Sequence, residues 1–125
     1  MNIPSNHQVV MPYLMLNDPN EFIIFVEQVF GAVISAKHES PEGIRHCEAT
    51  IGGSTIMFAG TTADWPAENA NLFIYVPDVD STYENALTNG AISVMGLSDQ
   101  DYGRTCGIKD PCGNVWWVTT IIDKE

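Results

Sequence analysis

The chain is poor in positive charge: five Lys and Arg stand against sixteen Asp and Glu, a net charge of -11. Phosphate binding depends on clustered Lys and Arg, so nucleic acid and anionic lipid surfaces are excluded as natural partners. The same excess of acid favours a cationic ligand. No apolar run approaches the ~20 residues that a membrane helix needs, and the N-terminus, Met1-Asn2-Ile3-Pro4-Ser5-Asn6, has no basic patch leading into an apolar stretch. A secretory leader is therefore not expected, and the expected compartment is cytoplasmic. Cysteine is scarce. Cys47, Cys106 and Cys112 cannot all pair with one another, and their spacing matches no zinc pattern, so reduced thiols are expected. The 125 residues, 45% of them apolar, suffice for one globular domain without covalent staples.

What is present is a repeat. Offset by 60 residues, Asn17-Asp18 falls on Pro77-Asp78, Gly52-Gly53 on Cys112-Gly113, and Thr55–Phe58 on Val115–Val118. Each half opens with an apolar strand, Val9–Leu16 and Leu72–Val76. Each strand runs into a helix start with an acidic N-cap, Asp18 followed by Pro19 and Asp78 followed by Asp80. Phe22, Phe25, Val26, Val29 and Phe30 form an apolar stripe of helical period. Val79, Tyr83, Ala86 and Leu87 form a weaker one, and Gly31 and Gly90 stop the helices. Three strands are predicted next in each half: Val33–His38, Ile44–Ile51 and Ser54–Ala59, then Ile92–Leu97, Arg104–Lys109 and Val115–Ile121. The expectation is a single α+β domain over residues 1–125. Module one spans about 9–60, a linker 61–69, and module two about 70–123. These tandem βαβββ modules would form cupped mixed sheets around a cleft.

Paired βαβββ modules resemble the vicinal-oxygen-chelate superfamily of glyoxalase, bleomycin-resistance and dioxygenase proteins. Met11-Pro12-Tyr13-Leu14, Val29-Phe30-Gly31-Ala32, Asp101-Tyr102-Gly103-Arg104 and Asp110-Pro111-Cys112-Gly113-Asn114-Val115-Trp116 are similar to its PhnB-like branch, also labelled "3-demethylubiquinone methyltransferase-like". The likeness runs from about Val9 to Asp123. No glycine-rich strand-to-helix turn supports a methyl-donor nucleotide site.

The resemblance implies a divalent metal held by His, Glu or Gln on the first and last strand of each module. Carried over by position, those places hold Met11, Met57, Asn71 and Trp117. Two Met, an Asn and a Trp do not make such a site, so neither metal nor cofactor is expected. His46 and Glu48 share a strand face and could form half of another site; a surface strand of mixed charge is the plainer reading. His7 is expected in an unstructured end. A Cys106–His46 pair, at repeat-related positions, lacks any supporting signature.

Strand alternation turns Met11, Tyr13, Met15, Met57, Asn71, Phe73, Tyr75 and Trp117 toward the cleft, away from the helices. Trp65 in the linker and Tyr102 in a loop are candidate lids. Arg104 is a candidate anion partner or a structural bridge to Asp99 or Asp101. The residues are therefore read as a metal-free protein binding a small organic molecule, aromatic or cationic, in an apolar cleft. The alternative is a metal- or cofactor-dependent lyase, dioxygenase or transferase-type enzyme using non-standard ligands. The resemblance also implies a homodimer.

Overall fold

In the computed structural model, residues 1–122 are described; Asp123, where the expected second module ends, lies outside them. The backbone divides into two compact units, one ending at Asn69 and the other beginning at Ala70.

The first unit runs β1 (Tyr13–Leu16), α1 (Pro19–Phe30), β2 (Val33–Ser40), β3 (Gly43–Ile51) and β4 (Ser54–Gly60). Its mixed sheet has the order β1-β4-β3-β2, with β1 parallel to β4 and the other pairs antiparallel. The second unit repeats the plan with β5 (Asn71–Tyr75), α2 (Val79–Thr88), β6 (Ile92–Gln100), β7 (Gly103–Lys109) and β8 (Val115–Ile121), in the order β5-β8-β7-β6. The fold is thus α+β, built from tandem βαβββ modules with two mixed sheets.

The helix starts form as the capping residues dictate. Asp18 Oδ1 accepts from the Glu21 amide at 3.2 Å, and Asp78 Oδ1 from the Ser81 amide at 3.3 Å. Gly31 ends α1 in the left-handed conformation, φ 67°. The second helix stops one residue sooner than Gly90 suggests, because Asn89 takes the C-cap. Phe22, Phe25, Val26 and Val29 are buried as the stripe requires, joined by Ile23, and Phe22 meets Phe58 edge-to-face at 4.9 Å. Each such ring contributes roughly 1.5–3 kcal/mol by leaving water.

The strands differ from expectation at their ends: β2 and β6 run on to Ser40 and Gln100, β5 is shifted back by one residue, and β1 differs most. The first is shorter than Val9–Leu16, since Pro12 has no amide to donate and the ladder starts at Tyr13. Val9 and Val10 are exposed ahead of it. Residues 6–8 are nevertheless tied down: the Gln8 side chain donates to the Thr55 carbonyl and accepts from the Thr55 amide, and the Thr55 hydroxyl donates to the Asn6 carbonyl.

The 60-residue repeat is written into the pairing. Tyr13 lies opposite Met57, and Phe73 opposite Trp117. In the middle strands the offset becomes 59: Cys47 faces Phe58 as Cys106 faces Val118. The second hairpin is one residue longer. Cys106 therefore corresponds to Cys47 rather than to His46, which corrects the sequence alignment there.

The family-type turn Asp110–Asn114 proves to be a structural knot. Buried Asp110 accepts from the Cys112 and Asn114 amides through Oδ1, both at 2.9 Å, and from the Trp116 indole through Oδ2 at 2.8 Å. Asn114 in turn accepts from the Ala70 amide at 3.0 Å. The turn thereby fastens the start of β5 to the start of β8.

Candidate functional site

Each sheet has one face under its helix and one face free of it. Alternation along β1 buries Leu14 and Leu16, leaving Tyr13 49% exposed and Met15 half-buried. Along β8, Trp116 and Val118 are buried while Trp117 is half-buried. The helix-free faces thus carry Tyr13, Met15 and Met57 in the first unit and Asn71, Phe73, Tyr75 and Trp117 in the second. Met11 sits just ahead of β1, half-buried.

In the first unit, Tyr13 and Met15 border a pocket of about 1030 Å³ with Ile44, Arg45, Ala59 and Trp65. Trp65 reaches it because residues 62–65 close a turn: the Thr62 amide donates to the Trp65 carbonyl at 2.9 Å, and the Trp65 amide to the Thr62 hydroxyl at 3.1 Å. Glu68 then pairs with Met15, so the linker runs along β1 as part of this unit. Met11 and Met57 do not line the pocket.

A chain of polar side chains adjoins it. The Tyr13 hydroxyl lies 3.0 Å from His46 Nδ1. His46 Nε2 lies 2.8 Å from Glu48 Oε2, and His7 Nε2 lies 2.8 Å from Glu48 Oε1. The hydrogen bonds from His46 and then His7 hold Glu48 below the usual carboxylate range. His7 is thus a partner in this chain and not an unstructured end residue. The capping pattern and strand period carry no signal for it, because the contact spans 41 residues.

In the second unit, Phe73 packs edge-on against Tyr75 at 5.0 Å and lies 6.4 Å from the Tyr102 ring. The Trp117 indole donates to Asn71 Oδ1 at 3.2 Å. Two places that a metal ligand would occupy in the family are therefore joined by their own hydrogen bond. Gly107 makes room for the indole: a Cβ there would stand 2.5 Å from its ring.

Arg104 turns the other way, toward α2. Its Nε donates to Asp80 Oδ1 at 2.7 Å and its Nη1 to Asp99 Oδ1 at 3.1 Å. It is a bridge on the helix side, to Asp80 and Asp99 rather than Asp101, and does not share the face of Trp117. Cys47 and Cys106 are fully buried. Burial pushes the Cys106 thiol up to about 11, far from an activated nucleophile. Among the described residues, no group of three or more His, Cys, Asp or Glu is arranged to hold a metal ion. Nor is any helix among them long and apolar enough to cross a membrane.

Solved structures share this architecture, two of them as follows. TioX from Micromonospora sp. ML1 is 22% identical with a TM-score of 0.73, over 94% of this chain and 99% of that one. TnmS3, an antibiotic binding protein from Streptomyces sp. CB03234, is 17% identical with a TM-score of 0.72, over 93% and 100%. At such identities the likeness is one of fold. Among sequences, an uncharacterized protein of Mycobacterium bovis is 29% identical over 118 residues, 84% of this chain and 78% of its own length. One of Mycobacterium tuberculosis is 29% identical, covering 84% and 69%. The family model of the Glyoxalase/Bleomycin resistance protein/Dioxygenase superfamily matches residues 6–118. The chain belongs to that superfamily.

Proposed function

We propose that this protein binds a small aromatic or cationic organic molecule on its helix-free faces, without a metal. The observation that carries the reading is the exposure of large aromatic side chains there: Tyr13 49%, Trp65 65%, Phe73 51%, Tyr75 59% and Tyr102 55%. Water-exposed rings in such number are costly to leave uncovered and mark a binding surface. Flat π-faces and methionine suit stacked rings and cations, and the net charge of -11 draws the latter. The residue types at Met11, Met57, Asn71 and Trp117 argue against a metal of the family type. A structural relative described as an antibiotic binding protein is in keeping with carriage or sequestration of an organic compound. Within the superfamily we place the chain in the PhnB-like branch, as one domain of two modules, acting as a cytoplasmic homodimer.

The test uses proflavine, a flat cation, against fluorescein, an anion of similar size. Proflavine is expected to quench tryptophan fluorescence saturably and to raise the melting temperature. Trp65→Ala should weaken it about tenfold, roughly 1.4 kcal/mol. Equal or absent response to the two dyes overturns the cationic preference. Elemental analysis of freshly purified protein accompanies it. Near-stoichiometric divalent metal, lost in His46→Ala, would replace this reading with a metal-dependent enzyme. Sedimentation equilibrium decides the dimer.

A further inference from the structure

The polar chain beside the first pocket has a directional logic that binding alone does not use. Glu48 is ionised and has no proton to give, so both imidazole nitrogens that touch it must be N–H donors. A neutral His46 is thereby fixed as the Nε2–H tautomer. Its Nδ1 is left with a lone pair, and that lone pair faces the Tyr13 hydroxyl at 3.0 Å. The phenol must donate to it. This is the relation of hydroxyl, imidazole and carboxylate in a catalytic triad, with a phenol in the place of serine. His7 holds the second carboxylate oxygen and so fixes the carboxylate's orientation. His38 also faces the imidazole, directly across on β2, its ring centroid 6.1 Å away.

Tyr13 also borders the pocket, and so do Arg45, one of only five basic residues in the chain, and the acidic Asp18 and Glu42. A relayed base and a cation in one pocket, beside the Trp65 ring, suit removal of a proton from a molecule whose conjugate base is a delocalised anion. We propose that Tyr13, His46 and Glu48 form a proton-transfer triad that makes Tyr13 the general base for a planar carbon acid bound in this pocket. The substrate C–H proton passes to the Tyr13 oxygen as the phenolic proton passes to His46 Nδ1. The resulting imidazolium is stabilised by Glu48, and the carbanion pair remains on the substrate facing Arg45. The proton then returns to the product or to water, so no oxidant or reductant is needed. This goes beyond the binding reading, since binding requires none of these three groups to exchange a proton.

The probe is 5-nitrobenzisoxazole. Loss of its ring C–H forms the nitrile, breaks the N–O bond and releases a coloured phenolate. The full-length wild-type chain is expected to open it faster than buffer. Tyr13→Phe and His46→Gln should each lower the rate about a hundredfold, and Glu48→Gln at least tenfold. Thermal melts check that each variant is folded; Tyr13, half in solvent, tolerates Phe. In parallel, ¹⁵N NMR of the wild type should find His46 protonated at Nε2 and not at Nδ1. Saturable fluorescence quenching by the probe with no turnover, or with turnover unchanged in Tyr13→Phe, overturns the triad while sparing the binding reading. Absence of quenching counts against binding, and the tautomer then decides: Nδ1–H overturns the triad, Nε2–H upholds it.

Discussion

Asp110 illustrates how much one carboxylate can hold. It is 4% exposed and gathers the amides of Cys112 and Asn114 and the indole of Trp116. Each such charge-assisted bond is worth about 1.5–3 kcal/mol, and truncation leaves the donors buried and unpaired. Asp110→Ala should therefore destabilise the chain by at least about 3 kcal/mol, read as a lower urea midpoint at unchanged slope. A second residue-scale prediction concerns Glu48. Its folded-state acidity is enhanced, so its stabilising contribution is fully present above the unfolded carboxylate value of 4.5. It is lost as pH falls below that toward the lowered value. The stability gap between wild type and Glu48→Gln should close as pH falls below 4.5, checked by urea titrations across pH. The Asp-Pro-x-Gly-Asn turn and the His46–Glu48 face were legible in the residues themselves. His7 was not, since nothing local ties an N-terminal imidazole to a strand 41 residues away.

The elements obeyed their local signals wherever those signals act within a few residues. Asp18 and Asp78 cap the helices they precede, and Gly31 adopts the positive φ that a C-cap needs. Gly31→Ala should cost about 1 kcal/mol, since the left-handed conformation penalises a Cβ. Signals that depend on neighbours across the sheet were harder to see. Arg104 could be given a strand but not a face, because the bulged β6–β7 ladder decides its direction. Gly107 carries no local signal, because its role depends on the Trp117 ring that lies over it from the neighbouring strand. Gly107→Ala should move that ring and cost about 1–3 kcal/mol by overpacking. The change should appear in near-ultraviolet circular dichroism and in a lower melting temperature.

At the scale of the whole molecule, an excess of eleven negative charges opposes compaction. Raising sodium chloride from about 0.01 to 0.15 M shortens the screening length from roughly 30 to 8 Å. The melting temperature should rise over that interval. A fall would mean that the few ion pairs, such as Arg104 with Asp80, outweigh the repulsion. The architecture of both units was readable because a repeat lets each half test the reading of the other. The ligand was not readable, because a surface of aromatic rings specifies size and polarity but few directions.

The corrected register gives the two halves one shared position with different contents. Glu48 lies across from Met57 in the first sheet, and Gly107 across from Trp117 in the second. The bulky ring is tolerated only beside the residue that has no side chain. Glu48→Gly alone would cut the hydrogen bonds from His7 and His46, and Gly107→Glu alone would strike the indole. An evolutionary path that exchanged these characters between the halves must therefore change both members of a pair together. That mutual dependence acts as a ratchet. It keeps one half committed to charge and the other to stacking.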